Sequence, residues 1–130
     1  MKHYTVDTHA LIWYFAELPF ISRNAESCMM EADAGLAQII VPTIVLSEVL
    51  MIGEKKRINF DYEEFLSNLV TSENYNIYPF DFDVLLQMRK LEAIPELHDR
   101  IIVATALITE SILITKDREI VSSGIVQTIW

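Results

Sequence analysis

The sequence holds one cysteine, three glycines and four prolines in 130 residues. A single thiol, Cys28, excludes an intrachain disulfide, which fits a reducing cytoplasm. It lies beside Met29 and Met30 in an expected helix and reads as a small buried hydrophobe. The chain shows no Gly/Ser linker, internal repeat or low-complexity segment. Long apolar runs are missing too. The longest, Ile101 to Ile114, is shorter than a membrane span and contains Glu110. Asp7, His9 and Glu17 break up the apolar region that a secretory signal would need. These absences predict a soluble, cytoplasmic protein with no membrane segment.

Positive charge is scarce: 10 Lys and Arg stand against 19 Asp and Glu, a formal net charge of −9. Taken alone, that argues against binding nucleic acid through a broad basic face. The argument weakens if acidic residues hold metal. Two divalent ions would bring the total to about −5 and turn the local field positive. What the chain has in quantity is apolar surface, with 52% hydrophobic residues, which excludes disorder. Its length predicts a single domain over residues 1–130 with one core.

The elements alternate between strand and helix. Tyr4 to Val6 reads as a short strand, and Thr8 as the N-cap of a helix through about Phe15. Pro19 breaks that helix, Ser22 caps a second one toward Asp33, and Gly35 closes it. Ala37 to Val41 is a strand buried on both faces. Pro42-Thr43 opens a helix through about Met51, stopped by Gly53. Asp61 caps a helix over Tyr62 to Val70, and Tyr75 to Tyr78 is a strand. Asp81 or Asp83 starts a helix through about Leu91. His98 to Thr109 is a nearly all-apolar helix, Ile112 to Thr115 a strand, and Gln127 to Trp130 a terminal edge strand. Such βα alternation predicts an α/β fold with a mostly parallel sheet between two helical layers.

Against this apolar background stand Asp7, Glu48, Asp99 and Asp117. Asp7 and Asp117 follow strands, where ligands bind in open α/β sheets; capping of the next helix is the competing explanation for each. Glu48 lies on the stripe of Ile44, Val45, Val49 and Ile52, unless it rotates to solvent at the margin. Asp99 heads the face continued by Ile102, Val103 and Ala106, although an acid in a first helical turn is also favourable by itself. Ionised carboxylates are almost never buried unpaired, and four converging would repel one another without a cation. Oxygen ligands select Mg²⁺ or Mn²⁺, and three histidines with one cysteine argue against zinc. Such a site suits phosphodiester hydrolysis.

Other features are weaker. Thr8 and Thr115 neighbour the acids and can orient them or contact phosphate. Arg100, Lys116 and Arg118 flank the acids and can meet a nucleic-acid backbone. The run Glu54-Lys55-Lys56-Arg57 is the one basic cluster, and a solvated helix end also explains it. His9 and His98 read as structural hydrogen bonders. Trp13, Tyr14, Phe15, Phe20, Met29 and Met30 exceed what a core of this size needs, which points to an interface.

Together these segments resemble the PIN domain. Val6-Asp7-Thr8-His9-Ala10-Leu11-Ile12-Trp13 is similar to its opening and Ser47-Glu48-Val49 to its second motif. His98-Asp99-Arg100-Ile101-Ile102-Val103-Ala104-Thr105-Ala106 resembles the third, and Leu113-Ile114-Thr115-Lys116-Asp117 the fourth. At this length the chain resembles the VapC-type toxins of prokaryotic toxin–antitoxin pairs. The resemblance implies a three-layer α/β/α sandwich and a Mg²⁺- or Mn²⁺-dependent endoribonuclease that acts on RNA. It implies a homodimer neutralised by a cognate antitoxin protein. It makes Asp7, Glu48, Asp99 and Asp117 the catalytic and metal-binding quartet, with Thr115 the hydroxyl beside it.

Two other classes remain open: a PIN-like module that holds RNA or protein without cutting, and a strand-end aspartate phosphatase with Asp7 as nucleophile. The phosphatase would typically carry a second acid two residues on, where this chain has His9. A receiver domain would need a pair of acids at the first strand end.

Overall fold

The computed structural model describes residues 1–55 and 58–130. Among them, five strands and seven helices run in the order β1 (Lys2–Val6), α1 (Thr8–Phe15), α2 (Arg23–Asp33), β2 (Ala37–Pro42), α3 (Thr43–Glu54), α4 (Tyr62–Thr71), β3 (Tyr75–Tyr78), α5 (Phe82–Met88), α6 (Leu97–Ile108), β4 (Ile112–Ile114), α7 (Arg118–Ser123) and β5 (Thr128–Ile129). The strands form one sheet in the order β3-β2-β1-β4-β5. Every pairing is parallel, so the mostly parallel sheet expected is entirely so.

Consecutive strand residues point to opposite faces. In β1 Tyr4, Thr5 and Val6 are all buried, as are Ile39, Ile40 and Val41 of β2. Both faces of the sheet are therefore covered by helices, which is why these strands are near-continuous apolar runs rather than alternating ones. The order places β1 at the centre, with β2 and β4 as its neighbours. The exit of β1 is thus the switch point where the chain goes to either side, the usual place for a ligand in such a sheet.

Most element boundaries agree with the sequence reading, and the exceptions have physical reasons. Asp7, not Thr8, is the N-cap of α1: its Oδ1 accepts from the Ala10 amide at 2.9 Å. Gly53 does not stop α3, which continues to Glu54. Its φ is not positive, unlike those of Gly35 and Gly124, so it behaves as an ordinary helical residue. Gly35, at φ +79, does turn the chain out of α2. The helix starting at Asp81 ends at Met88, short of Leu91. The short helix α7 adds an element to the expected order, and Asp117 is its N-cap. The basic run after α3 is only partly visible, because Lys56 and Arg57 lie outside the described residues. Among the described residues no helix is long and apolar enough to cross a membrane.

Candidate active site

Each of the four acids is placed by the local structure that its own sequence specifies. Asp7 leaves β1 with its amide bonded to the Ile114 carbonyl of β4 at 3.2 Å, so the two strand ends are tied together. Asp117 follows β4 and caps α7, with Oδ1 accepting from the Ile120 amide at 3.0 Å. The capping role weighed for both residues is therefore real, and it coexists with convergence. A cap occupies one carboxylate oxygen and leaves the other free.

Glu48 lies on α3 between buried Val45 and Val49 and is itself half-buried. Its Oε1 accepts from the Thr8 hydroxyl at 2.7 Å, which joins α3 to the first turn of α1. Asp99 sits in the first turn of α6, but the cap there is Glu96, whose Oε2 accepts the Asp99 amide at 2.7 Å. The Asp99 side chain is not the cap. It heads a face whose next members, Ile102, Val103 and Ala106, are buried.

All four side chains line one cavity of about 390 Å³ at the carboxyl ends of β1 and β4. Thr8, His9, Ile102, Lys116, Arg118 and Trp130 complete its walls. Thr115 is fully buried and lies behind the wall. Its hydroxyl accepts from the Asp117 amide at 3.1 Å and lies close enough to the Asp7 carboxylate to favour its charged form. It positions two acids and has no face toward a ligand. Arg100, expected near a nucleic-acid backbone, instead donates Nε to the Ile94 carbonyl at 2.7 Å.

The electrostatics match the crowding. Burial pushes the Asp7 carboxyl up, against the bonds from Thr115 and Ala10 that favour its charged form, and the Asp117 charge adds to the rise. The Asp99 carboxyl is pushed up to about 6, first by burial and then by the negative charges of Asp117, Glu96, Glu48 and Asp7. Among the described residues the ion pairs are Lys2–Glu31 and His98–Glu96, so none of the four acids is in a close ion pair, although His9, Lys116 and Arg118 stand at the same cavity. Among the same residues, no group of three or more Asp, Glu, His or Cys side chains is arranged to hold a metal ion. The carboxylates share a cavity without closing on a point.

Trp130 is the wall residue that sequence reasoning missed. The expected terminal edge strand was correct in kind, but nothing in its residues marks which one reaches the acids. Pairing of Ile129 beside Ile114 brings the next residue to the cavity.

A PIN domain model matches residues 4–123, nearly the whole chain. The chain belongs to the PIN domain family. No curated protein matches it in sequence. Among solved structures, VapBC2 from Rickettsia felis bound to a promoter DNA fragment aligns over 98% of this chain and 97% of its own, with 18% identity and a TM-score of 0.68. A toxin–antitoxin complex from Klebsiella pneumoniae aligns over 97% and 95%, at 24% identity and TM-score 0.66. VapBC-1 from nontypeable Haemophilus influenzae aligns over 98% and 96%, at 19% and 0.66. At these identities the likeness is one of fold. It shows that this PIN domain shares the architecture of chains in such complexes over its full length.

Proposed function

We propose that this PIN domain is a Mg²⁺- or Mn²⁺-dependent endoribonuclease and the toxin of a toxin–antitoxin pair. The observation that carries the reading is the convergence of Asp7, Glu48, Asp99 and Asp117, from four separate segments, on one cavity at the switch point of the sheet. The donor set fits a hard divalent cation: it is all oxygen, none of the four acids is in a close ion pair, and the Asp99 carboxyl is raised by burial and then by the negative charges of its neighbours. The four acids would hold the ion, partly through water, which accords with their open spacing. Such an ion would supply Lewis acidity toward the phosphodiester and would lower the pKa of a water so that hydroxide is available to attack it. The chain's own contribution is positioning. Thr8 holds Glu48, Thr115 holds Asp7 and the turn into Asp117, and the buried Ile102 gives the cavity an apolar wall. Lys116 and Arg118 stand at the same wall, where a phosphate backbone would pass.

A second cavity, of about 650 Å³, supports the antitoxin partner. Trp13, Tyr14, Phe15, Ile21 and Met30 line it together with Glu17, Glu26 and Asp33. Met30 is 56% exposed and Phe20, which packs on Trp13, is 60% exposed, whereas Met29 is fully buried in the core. The early helices thus divide between core and surface. The surface part suits a partner segment carrying apolar and basic side chains. A basic side chain of that partner entering the acidic cavity would compete with the ion. Leu50 and Met51 on α3 are exposed, as are Phe82, Leu85 and Leu86 on α5, and either set is apolar surface open to the second copy of a homodimer. The cytoplasm is the compartment this reading requires.

Purified protein should cleave RNA in Mg²⁺ or Mn²⁺ and stop reversibly in EDTA. Asp7→Asn and Asp99→Asn should abolish cleavage while the fold survives, and Asn retains the cap at position 7. Expression alone should arrest growth, and co-expression of the small protein encoded beside it should restore growth and yield a co-purifying complex. Cleavage that survives EDTA and both substitutions rules the mechanism out. One observation favours the rival reading of a non-cutting PIN module, namely that no three acids stand in ligand geometry among the described residues. Binding of RNA without metal-dependent cleavage would decide for it.

A further inference from the structure

The wall of the acidic cavity carries a group of side chains that metal binding does not use. The Lys116 ammonium lies 4.7 Å from the centre of the Trp13 ring and 5.9 Å from that of Trp130. The two indoles are 6.0 Å apart and inclined at 64°. His9 lies 5.3 Å from Trp13. Lys116 is exposed, and among the described residues it forms no ion pair with any of the nearby carboxylates. Two aromatic faces hold a lysine at the edge of an acidic cavity without neutralising it. Trp130, His9 and Lys116 line that cavity, whereas Trp13 stands behind them.

We propose that Trp130, His9 and Lys116 form a seat for one unpaired nucleotide of single-stranded RNA, with the base stacked on Trp130 and its phosphate at Lys116. The proposal rests on the nuclease reading and names the substrate form that the same site takes. An indole beside a fixed cation is what binds a nucleotide irrespective of sequence. The ring takes the base face, which every base has, and the ammonium takes the phosphate. A base inside a duplex has both faces covered by its neighbours and cannot stack on the ring. The floor of the cavity is acidic, so a phosphate is drawn to the rim cations and kept off the four carboxylates, which the next phosphate would approach only with a divalent ion between them. Trp13 and His9 stiffen the seat: Trp13 packs against Trp130 and Lys116 at once, so the lysine stem is not free to wander.

The test is binding, measured with intact protein in EDTA so that cleavage plays no part. The probe is a short dye-labelled single-stranded RNA, compared with the same RNA annealed to its complement. Trp130→Leu keeps apolar bulk but removes the ring. It should weaken single-strand binding by roughly 5- to 100-fold, while Trp130→Phe stays near the unmodified protein. Lys116→Gln should lower the slope of log affinity against log salt by roughly 0.7 to 1. Duplex RNA should bind more weakly and be indifferent to Trp130→Leu. Should Trp130→Leu fail to fold, quenching of indole fluorescence by the single strand in the unmodified protein, lost with the duplex, reads the same contact. Equal single-strand affinity in Trp130→Leu and the unmodified protein, or equal affinity for single strand and duplex, overturns the proposal. So does release of a bound protein partner by Trp130→Leu with RNA binding intact. If the seat fails while Mg²⁺-dependent cleavage persists, the nuclease reading stands. If cleavage is absent while binding depends on Trp130, the nuclease reading falls and the seat stands.

Discussion

Thr8 and Glu48, forty residues apart in the chain, are joined by a hydrogen bond of 2.7 Å from the hydroxyl to Oε1. Thr8 is 5% exposed, so the donor is sheltered from water and fixed in the first turn of α1. The bond links Glu48 to the segment that carries Asp7, and it aims one carboxylate at the cavity occupied by the other. Thr8→Val should cost about 1–2 kcal/mol in a denaturant melt, because a half-buried carboxylate loses its donor. RNA cleavage should fall by about 10- to 100-fold, the usual loss when a group orienting a metal ligand is removed. Thr8→Ser should restore both. A Thr8→Val protein with unchanged cleavage would show that Glu48 does not need this bond.

The raised Asp99 carboxyl predicts the pH dependence of the metal-free protein. In the unfolded chain the group releases its proton near 3.8, in the folded protein at about 6. Between those values the folded state binds more protons, so its stability contribution is full below about 3.8 and is lost as the pH rises through 6. Asp7, also pushed up, acts in the same direction. In EDTA the melting temperature should be higher at pH 5.5 than at pH 7.5. Asp99→Asn should raise stability at pH 7.5 by about 1–2 kcal/mol after allowance for solvent screening, and should flatten the pH profile. A melting temperature in Asp99→Asn that is lower at pH 7.5 contradicts the crowding.

Metal should reverse the same strain. Mg²⁺ or Mn²⁺ binding only the folded state stabilises it by about 2.7 kcal/mol at a hundredfold excess over the dissociation constant. The gain should shrink in Asp7→Asn and in Asp99→Asn. Calorimetric melts with and without millimolar Mn²⁺ measure it, and identical curves would mean that the four carboxylates do not take up the ion.

The groove on α1 and α2 should be separable from the cavity. Met30 is exposed there and remote from the four acids in the chain. Met30→Glu should leave RNA cleavage by the isolated protein unchanged and should reduce co-purification with the partner. It places a charge where an apolar side chain would dock, beside Glu26 and Asp33, which already line the groove. Loss of cleavage in a folded Met30→Glu protein would tie the groove to catalysis instead.

The alternation of elements, and the four acids that share the cavity, were legible from local pattern. Strand and helix have different apolar periods, and a carboxylate on an apolar stripe is conspicuous because burying charge is costly. Ser22 and Asp61 were readable as caps for a similarly local reason, since a cap is satisfied within three residues, whereas Asp81 and Asp83 were equal candidates until the structure gave the cap to Asp81. Asp7 and Asp117 presented an ambiguity that no sequence removes, because the same carboxylate both caps a helix and faces a cavity.

The tertiary structure alone decided what depends on distances between segments remote in the chain. Parallel pairing of β1 with β4 set Asp7 near Asp117. Packing of α1 on α3 brought the Thr8 hydroxyl to Glu48, and the cap on α6 went to Glu96, which freed Asp99 for the cavity. Thr115 was identifiable as a neighbour of the acids, but its complete burial, and so its restriction to positioning, follows from the helices that cover the sheet. The gathering of Lys116, Trp13 and Trp130 was likewise invisible, since residues 13 and 130 meet only through strand order. Local chemistry specifies which side chains can act; the register of a parallel sheet, set by packing across the whole chain, determines which of them stand together.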